Sequence, residues 1–393
     1  MKKIISLNGL DKSGKSTQAG LLKNNYKLIS IADKLSSCDG WPNLKGQELF
    51  NWWFIEGETE NVTSTIYGGI SQRNKQIRQS DCPLTIIDRG NDMFDGVCIA
   101  TTMIRENLSF LESKKRVYEI KSNFHLEDLD EEKIFYQTGE NIEEMVLTSR
   151  RRYKEIGFSQ NSERLYDRYQ NTLASVLSKQ LKGNIYSQII DGRMAISEVY
   201  QNTEKAMREH LKKGLDLSRI NLIVGIGGMS ESGKSSLGEY LQKSKKFERI
   251  KIKDIIGGIE KKYQKYLGGN SIYEVEDTLL STLFLEEISK LQGDERIVIE
   301  SLHNYGFTKR LKEITGDKFK IVYVETPKQL RIKRNSKDLS KSLAESKKEV
   351  ERKDKVKQKR GTHLIKGISD IVLQNKYGLD KTKEDLIKFL EIE

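Results

Sequence analysis

Short strand-like apolar runs alternate with longer segments of helical periodicity along the whole chain. This alternation is typical of parallel sheets covered by helices, because each parallel connection requires a crossover. In the first half the predicted strands span residues 2–8, 27–31, 84–88, 116–122 and 185–190. In the second half they span residues 220–226, 250–252, 297–300, 319–325 and 370–374. We therefore predict an α/β fold with two domains, each a five-stranded parallel sheet flanked by helices.

The best domain boundary follows a predicted helix that ends near Lys213. Gly214 and the residues after it interrupt the helical pattern before the next strand-like run begins. A chain of 393 residues is long enough for two domains, each with its own hydrophobic core. We predict domains at residues 1–213 and 219–393, joined by a short linker because only three prolines occur in the chain.

The first predicted strand of each half leads into a loop that fits the pattern G-x-x-x-x-G-K-[ST] and precedes a helical segment. A phosphate-binding loop requires this context, and two matches in it are improbable by chance. The candidate ATP-binding residues are Gly9, Asp11, Lys12, Ser13, Gly14, Lys15, Ser16 and Thr17 in the first loop, and Gly228, Met229, Ser230, Glu231, Ser232, Gly233, Lys234, Ser235 and Ser236 in the second. We expect loop N–H groups and the lysines Lys15 and Lys234 to bind phosphates, with Ser16 and Ser235 on Mg²⁺.

Hydrophobic residues make up 36% of the chain and charged residues 32%, which is typical of a soluble globular protein. No apolar run approaches the about 20 residues needed to cross a bilayer. The N-terminal residues run directly into a predicted strand, which disfavours a secretory signal. Cys38, Cys82 and Cys98 lack the spacing of a metal site. We expect reduced thiols in a cytoplasmic protein without membrane association.

The net charge of +11 raises the question of nucleic-acid binding. Such binding favours basic residues on one face with aromatic residues between them. Here the lysines are scattered, and the densest basic run, residues 347–360, is interleaved with acidic residues. The pattern favours a solvated helix and phosphate-handling basic residues, with small nucleotides rather than nucleic acid as ligands.

Asp88 and Arg89 lie side by side after the third predicted strand. Phosphoryl transfer needs two polyanions brought together and their charge neutralised in the transition state. We expect Asp88 to orient Mg²⁺ or its water shell and Arg89 to bind the acceptor phosphate. Lys12, or an arginine of the basic run at residues 150–154 such as Arg151, would supply further positive charge.

The first half carries further motifs in an order that resembles the thymidylate kinase family. The first two motifs are the phosphate loop and the Asp88-Arg89 pair. The others are Gln18 after the loop, Trp41-Pro42, Arg73 in a helix, the basic run at residues 150–154, and residues 189–192 followed by Ile196 and Val199. Over residues 1–213 the resemblance implies conversion of dTMP and ATP to dTDP and ADP, with the basic run as the lid. It also implies that Asp11 contacts the acceptor sugar or organises an arginine, that Arg73 faces the substrate, and, weakly, a homodimer.

Several positions depart from that family's pattern. Asn43 and Leu44 follow the Trp41-Pro42 pair where an acid and an arginine are usual, and Gly69 replaces an aromatic residue that stacks on thymine. Tyr67 lies close to that position, so Tyr67 and Trp41 are the candidate substrate contacts, although tryptophans more often serve packing. The departures are compatible with another base, a modified pyrimidine or reduced activity.

The second half, over residues 219–393, resembles small kinases of the nucleoside-monophosphate kinase and dephospho-coenzyme-A kinase group. The resemblance rests on the phosphate loop, Lys253-Asp254, the strand that ends at Glu300, the arginines 331, 334, 352 and 360, and residues 369–375. It implies that Asp254 binds the acceptor, that Glu300 serves Mg²⁺ and that the arginines close over phosphates. For His303 the sequence favours a packing or surface role over a substrate contact.

These features predict a fusion of two ATP-dependent, Mg²⁺-dependent kinase domains. The first would phosphorylate a deoxypyrimidine monophosphate, with dTMP preferred, and the second another nucleotide-like acceptor. Two alternatives stay open at this point: a polynucleotide 5′-kinase, and a nucleotide-sensing module with only one catalytic half.

Overall fold

The computed structural model describes residues 2–32, 35, 38, 40–153, 159–291, 295–338 and 341–392. The chain separates into two compact units, Met1–His210 and Leu211–Glu393. In the described residues each unit contains a five-stranded, all-parallel sheet flanked by helices. The α/β fold class predicted from the sequence is therefore confirmed.

The first unit alternates strands and helices in the order typical of parallel α/β folds. Its strands are β1 Lys3–Asn8, β2 Ile29–Ala32, β3 Leu84–Asp88, β4 Glu131–Gln137 and β5 Gln188–Asp191. Its helices are α1 Lys15–Asn25, α2 Gly46–Asn51, α3 Thr59–Gln79, α4 Asn91–Glu106, α5 Phe110–Lys121, α6 Ile142–Tyr153, α7 Gln160–Lys182 and α8 Ile196–Lys212, with a π-helical turn at Trp52–Glu56.

The second unit repeats this plan. Its strands are β6 Leu222–Gly227, β7 Glu248–Lys251, β8 Arg296–Leu302, β9 Phe319–Glu325 and β10 Ile371–Gln374. Its helices are α9 Lys234–Lys245, α10 Ile252–Leu267, α11 Asp277–Ser289, α12 Tyr305–Thr315, α13 Lys328–Asp338, α14 Leu343–Lys359 and α15 Leu379–Leu390, with short 3₁₀ turns at Ile272–Glu274, Gly316–Lys318 and Thr362–Ile368.

The two sheets have the same strand order. It is β2-β3-β1-β4-β5 in the first unit and β7-β8-β6-β9-β10 in the second. In each sheet the strand before the phosphate loop is central, and its side chains are almost entirely buried. Leu7 is in register with Asp88, as Ile226 is with Glu300, so equivalent acidic residues lie near the carboxyl ends of the neighbouring strands. The carboxyl ends of parallel strands thus meet beside each loop.

One predicted strand is wrong. Residues 116–122 lie mostly in helix α5, which begins with a capping box between Ser109 and Glu112. The buried positions Ser113, Val117 and Ile120 follow helical spacing, so the apolar residues form one face of a helix rather than a strand. The strand that pairs with β1 is instead β4, whose charged start, Glu-Glu-Lys, conceals its buried core of Ile-Phe-Tyr.

The main core of the first unit lies between α3, α4 and α7 and includes Ile66, Cys98 and Leu177. That of the second lies around β6 and includes Val224, Leu241 and Val322. No helix among the described residues is long and apolar enough to cross a membrane.

Glu131, at the start of β4, is a buried carboxyl group beneath the turn after β3. A Cβ atom added at Gly90 would lie 3.0 Å from Glu131 Oε1, so the two groups are in close contact. Oε2 is buried and has no hydrogen-bond partner among the described residues. Burial raises the pKa of Glu131 to about 7, although Lys133 and Arg73 oppose the shift. Ionisation of Glu131 near neutral pH therefore costs folding free energy.

We predict that Glu131→Gln stabilises the first unit at about pH 8 by up to about 3 kcal/mol, and that the gain disappears near pH 5. Because the folded pKa lies above the unfolded value, the native chain loses stability as pH rises from the unfolded pKa to about 7, whereas the glutamine chain does not. All three tryptophans lie in the first unit, so urea unfolding followed by tryptophan fluorescence reports on that unit. Exposed Glu119→Gln is the matched control, and an equal gain at both pH values would contradict this account.

Candidate functional site

The two phosphate loops have nearly the same backbone conformation. Gly9 and Gly228 have φ angles of 138° and 137°, and Gly14 and Gly233 have φ angles of 97° and 100°. A Cβ atom at Gly9 would lie 2.7 Å from the carbonyl oxygen of Tyr136, so a larger residue there would strain this turn. Each loop ends where a helix begins, at Lys15 in α1 and Lys234 in α9. Both loops thus direct helix N-terminal N–H groups into a concave turn, which suits an anion.

A buried lysine lies beneath each loop. Lys15 Nζ donates to the carbonyl oxygens of Gly9 and Leu10, at 3.0 and 2.7 Å. Lys234 Nζ donates to the carbonyl oxygen of Met229 at 2.5 Å. Burial and the nearby Arg89 lower the pKa of Lys15 to about 7, and burial lowers that of Lys234 well below its usual value. An anion bound in the loop would restore the charge of both lysines.

Ser16 and Asp88 lie together at the end of the first loop. Ser16 Oγ donates to Asp88 Oδ2 at 2.6 Å. Asp88 is 8% exposed, and its other oxygen, Oδ1, is buried and lacks a hydrogen-bond partner among the described residues. A hydroxyl group beside a carboxylate with an unused oxygen fits the oxygen ligands that Mg²⁺ prefers. These two residues therefore fit the predicted cation, directly or through its water shell.

Arg89 and Asp11 form an ion pair in front of the loop. Arg89 Nη2 lies 2.8 Å from Asp11 Oδ1. The hydroxyl group of Tyr166 and the amide of Gln170 donate to the other carboxylate oxygen, at 2.5 and 3.2 Å. Burial would raise the pKa of Asp11, but Arg89 and Lys15 hold it well below its usual range. Asp11 is therefore an ionised anchor that orients Arg89, one of the two roles implied by the family resemblance.

Arg73 does not line the apolar cavity that opens beside Asp11, Asp88 and Arg89, although the family resemblance implies that it faces the substrate. Its side chain is 2% exposed. Nη1 donates to the carbonyl oxygen of Arg89 at 2.8 Å, and Nη2 donates to Asn91 Oδ1 at 2.8 Å. Arg89 itself has a left-handed φ of 74°. Arg73 thus braces the turn that carries Arg89.

An apolar cavity of about 360 Å³ opens beside Asp11, Asp88 and Arg89. These three are the ionisable side chains of the catalytic motifs that line it, and its remaining wall is mainly aromatic and aliphatic. The wall residues are Leu35, Trp41, Gly46, Leu49, Phe50, Trp53, Phe54, Met93, Phe94, Val97, Tyr166, Tyr169 and Leu173. The cavity can hold a flat, partly apolar group whose charged end meets Arg89.

The two predicted aromatic substrate contacts differ in position. Trp41 lines this apolar cavity and packs against Trp52 and Trp53 at ring distances of 6.5 and 6.0 Å. Tyr67 is fully buried in the core, and its hydroxyl group donates to Asp95 at 2.8 Å. A Cβ atom at Gly69 would meet Leu35 at 3.4 Å, so the place for a stacking aromatic side chain is filled by Leu35.

The predicted lid residues are placed only in part. Arg150 lies in α6, and its Nε is 3.1 Å from Asp167 Oδ1. The side chain of Arg151 lies outside the described part of the chain. Lys12 is exposed within the loop at a left-handed φ of 64°. The structure therefore places Lys12 in the first loop but assigns no role to the side chain of Arg151.

A second groove of about 470 Å³ borders the first phosphate loop. Ser13, Gly14 and Thr17 line it together with Arg193 and Met194, which follow β5. Gln18 Nε2 donates to the carbonyl oxygen of Ile196 at 3.3 Å and so ties α1 to this segment. The groove joins the phosphate loop to a surface with room for the base of a nucleotide.

The second loop differs from the first in the charges around it. Glu231 has a φ of 58° and occupies the position of Lys12, whose φ is 64°. Lys353 of α14 lies 3.2 Å from Glu231 Oε1. Farther along the same helix, Lys357 Nζ donates to the carbonyl oxygen of Gly228 at 3.3 Å. The positive charge near this loop thus comes from Lys353 and Lys357 of α14. The sequence had instead indicated Arg352 and Arg360.

The arginines of α13 hold this loop in place. Arg331 pairs with Asp354 through two bonds of 2.8 and 2.9 Å. Arg334 Nη2 donates to Asn375 Oδ1 at 3.2 Å, and Asn375 Nδ2 donates to the carbonyl oxygen of Ser232 at 2.8 Å. Arg334 and Asn375, together with the loop and Ser301, border a groove of about 530 Å³.

Two acidic residues that the sequence predicts for the second site make contacts other than those expected. Glu300 is 2% exposed and accepts a hydrogen bond from Arg249 Nε, and it packs beneath Gly238. It therefore differs from Asp88, which accepts from the loop serine. Asp254 lines a separate hollow of about 300 Å³ with Lys262, Glu287 and Lys290. The structure does not bring Asp254 together with the phosphate loop.

Several functional residues escaped sequence reasoning because they come from distant helices. Phe50 and Phe54 are four residues apart, and Tyr166, Tyr169 and Gln170 share one face of α7. This spacing could have indicated an aromatic wall, but nothing in the sequence shows that it faces Asp11.

No protein-family model and no curated protein matches the chain. Two solved structures of deoxyadenosine kinase from M. mycoides are similar to about half of it. One, with dCMP and a flexible dCDP bound, is 13% identical with a TM-score of 0.39, covering 52% of this chain and 99% of that one. The other, with dATP bound, is 15% identical with a TM-score of 0.40, covering 52% and 98%. Identities this low leave the activity to be inferred from the site itself.

We predict that Arg73→Met destabilises the first unit by about 2–4 kcal/mol, because it leaves the Arg89 carbonyl and Asn91 side chain without their buried donor. Exposed Arg78→Met, in the same helix, is the matched control and should cost less than about 1 kcal/mol. The measurement is urea unfolding followed by tryptophan fluorescence. Unchanged stability with only a higher KM for the acceptor would show that Arg73 meets the substrate instead.

Proposed function

We propose that the chain is an ATP-dependent phosphotransferase with one ATP site in each unit. The observation that supports this proposal most strongly is the shared loop geometry, in which matching glycine and lysine positions recur at the end of both central strands. A buried lysine beneath a ring of loop N–H groups is suited to the β- and γ-phosphates of a nucleoside triphosphate. Coincidence does not account for the same arrangement at equivalent places in two sheets.

In the first unit Lys15 and the loop N–H groups would hold the donor phosphates. Mg²⁺, when bound by Ser16 and Asp88, would neutralise charge on those phosphates. The base of ATP would occupy the groove beside Arg193 and Met194. Lys12, exposed at the front of the loop, is placed to meet the charge that develops on the transferring group.

The acceptor would enter the apolar cavity with its phosphate toward Arg89. Asp11, Tyr166 and Gln170 fix this arginine in advance, which favours transfer because the charged group needs no reorganisation. The aromatic wall suits a flat base, and its apolar character suits the methyl group of thymine. We therefore propose dTMP as the preferred acceptor, which gives dTDP and ADP.

The second unit would use Lys234 in the same way, with the serines of its loop as the candidate cation ligands. Glu300 is paired with Arg249, so the magnesium role that the resemblance implies for it is not supported by its contacts. Lys357 and Lys353 would replace the basic residue that the first loop carries at Lys12. The second unit is proposed to phosphorylate a different, small acceptor.

We predict that Lys15→Met lowers the rate of dTMP phosphorylation at least about 100-fold, while Lys234→Met changes that rate by less than about twofold. The reason is that each lysine serves only the triphosphate of its own unit. The measurement is dTDP formation by the full chain with ATP and Mg²⁺, followed by chromatography. Exposed Lys23→Met is the matched control, since Lys23 lies on α1 away from the loop.

Other results would favour the alternatives. Phosphorylation of an oligonucleotide 5′ end with a steep salt dependence would favour a polynucleotide kinase. ATP binding without transfer to any monophosphate would favour a nucleotide sensor. Equal dTDP formation by the Lys15→Met and Lys234→Met chains would contradict the two-site proposal.

A further inference from the structure

The acceptor side of the second unit differs from that of the first at the residue that follows the acidic residue of the third strand. Arg89, with a φ of 74°, follows Asp88 at the end of β3, and Ser301, with a φ of 69°, occupies the equivalent place after Glu300, within the last residues of β8. The left-handed backbone is retained, but the guanidinium group that faces the acceptor cavity in the first unit is absent at this position. The second unit must therefore meet its acceptor with other groups.

His303, two residues farther on, is a candidate for that contact. It is 8% exposed, and its Nδ1 lies 2.7 Å from the carbonyl oxygen of Ser301. A carbonyl oxygen can only accept, so Nδ1 carries the proton of the neutral ring. Nε2 therefore presents a lone pair, and it is buried without a hydrogen-bond partner among the described residues. A buried ring nitrogen left unused is costly unless a ligand meets it.

His303 adjoins the groove of the proposed ATP site through Ser301. Ser301, whose carbonyl oxygen meets Nδ1, borders the groove of the second phosphate loop together with Lys234 and Lys357. Tyr273 packs against the imidazole with ring centroids 5.4 Å apart, and Arg360 lies over the Tyr273 ring at 4.6 Å. His303 is thus held next to a residue that lines the same groove as the lysine that would bind the transferred phosphate.

Burial lowers the pKa of His303, and Arg360, Lys357 and Lys234 lower it further, against the opposing effect of the Ser301 bond. A lowered pKa keeps the imidazole neutral, and so able to accept a proton, at neutral pH. This agrees with the proton position that the contact with Ser301 requires.

We propose that the second unit phosphorylates an alcohol, and that His303 Nε2 accepts the proton of the attacking hydroxyl group. This inference rests on the proposed phosphotransferase function of the second unit. The hydroxyl oxygen forms a bond to the γ-phosphorus of ATP, the bond from that phosphorus to the bridging oxygen of ADP breaks, and the hydroxyl proton passes to Nε2. ADP leaves, and the imidazolium then releases its proton to water.

The chemistry of the two acceptor classes explains this choice. A phosphate monoester is already largely ionised at neutral pH and has no proton that a base must remove. It needs a cation of the kind that Arg89 supplies in the first unit. A hydroxyl group keeps its proton until transfer begins, so a base within reach accelerates the reaction. Ser301 stands in the second unit where the first has Arg89, and a neutral histidine lies close by. This arrangement fits an alcohol as the acceptor and not a second phosphate monoester.

The test uses the full chain carrying Lys15→Met, so that only the second unit turns over ATP. His303→Asn preserves a donor near the Nδ1 position for the Ser301 carbonyl but removes Nε2. His303→Gln is the second variant, and His363→Asn, at an exposed histidine of the same unit, is the matched control. The acceptors are the common ribonucleosides and deoxyribonucleosides, their 5′-monophosphates, and water alone, and the readout is the labelled γ-phosphate of ATP recovered on the acceptor or as free phosphate.

We expect transfer to nucleoside hydroxyl groups or to water to fall about 10²–10⁴-fold in His303→Asn and to stay unchanged in His363→Asn. Binding of a non-hydrolysable ATP analogue should change by less than about threefold. If transfer persists in His303→Asn, or if only monophosphates are phosphorylated, the inference is wrong although the unit is still a kinase. Loss of analogue binding in both His303 variants also overturns it, since His303 then supports the fold.

A different result would overturn the parent proposal. If the Lys15→Met chain consumes no ATP with any acceptor or with water, the second unit is not a phosphotransferase, and the role of His303 fails with it. The two failures are distinguishable, because the first retains ATP turnover by the second unit and the second does not.

Discussion

The structure depends on placing a lysine ammonium group beneath a tight loop at the end of each central strand. Lys15 and Lys234 are 3% and 6% exposed, and their Nζ atoms donate hydrogen bonds to loop oxygens. Burying a positive charge in this way is costly, and the lowered pKa values of both lysines record that cost. In the proposed function, a bound polyphosphate would offset it. The glycines with positive φ angles and the helix N-termini are the means by which the backbone is shaped around that anion.

On this shared frame the two units carry different side chains at three equivalent positions, and the charge differs at two of them. Lys12 corresponds to Glu231 in the loop, and Arg89 corresponds to Ser301, each directly after the acidic residue of the neighbouring strand. That acidic residue is Asp88 in the first unit and Glu300 in the second, so its charge is the same. In the second unit, helix α14 supplies the lysines that the loop lacks. Because the backbone is conserved between the units while these side chains are exchanged, we infer that the donor is shared and the acceptors are not.

The sequence predicts those elements of the fold that local residue patterns determine. β3 and β9 match their predicted ranges, and both loops lie between a strand and a helix as the pattern requires. Residues 116–122 were misassigned because an amphipathic helix with a β-branched residue resembles a strand, and β4 was missed because its first residues are charged. The bracing role of Arg73, the aromatic wall from α7 and the separate position of Asp254 depend on long-range packing. No spacing along the chain encodes those contacts.

The central claim is that each unit binds one nucleoside triphosphate through its own lysine. Calorimetric titration of the full chain with a non-hydrolysable ATP analogue and Mg²⁺ tests it most directly. The account predicts two sites in the intact chain, one in the Lys15→Met chain, one in the Lys234→Met chain, and none when both lysines are replaced. No binding to the intact chain, or binding unaffected by either replacement, would contradict it.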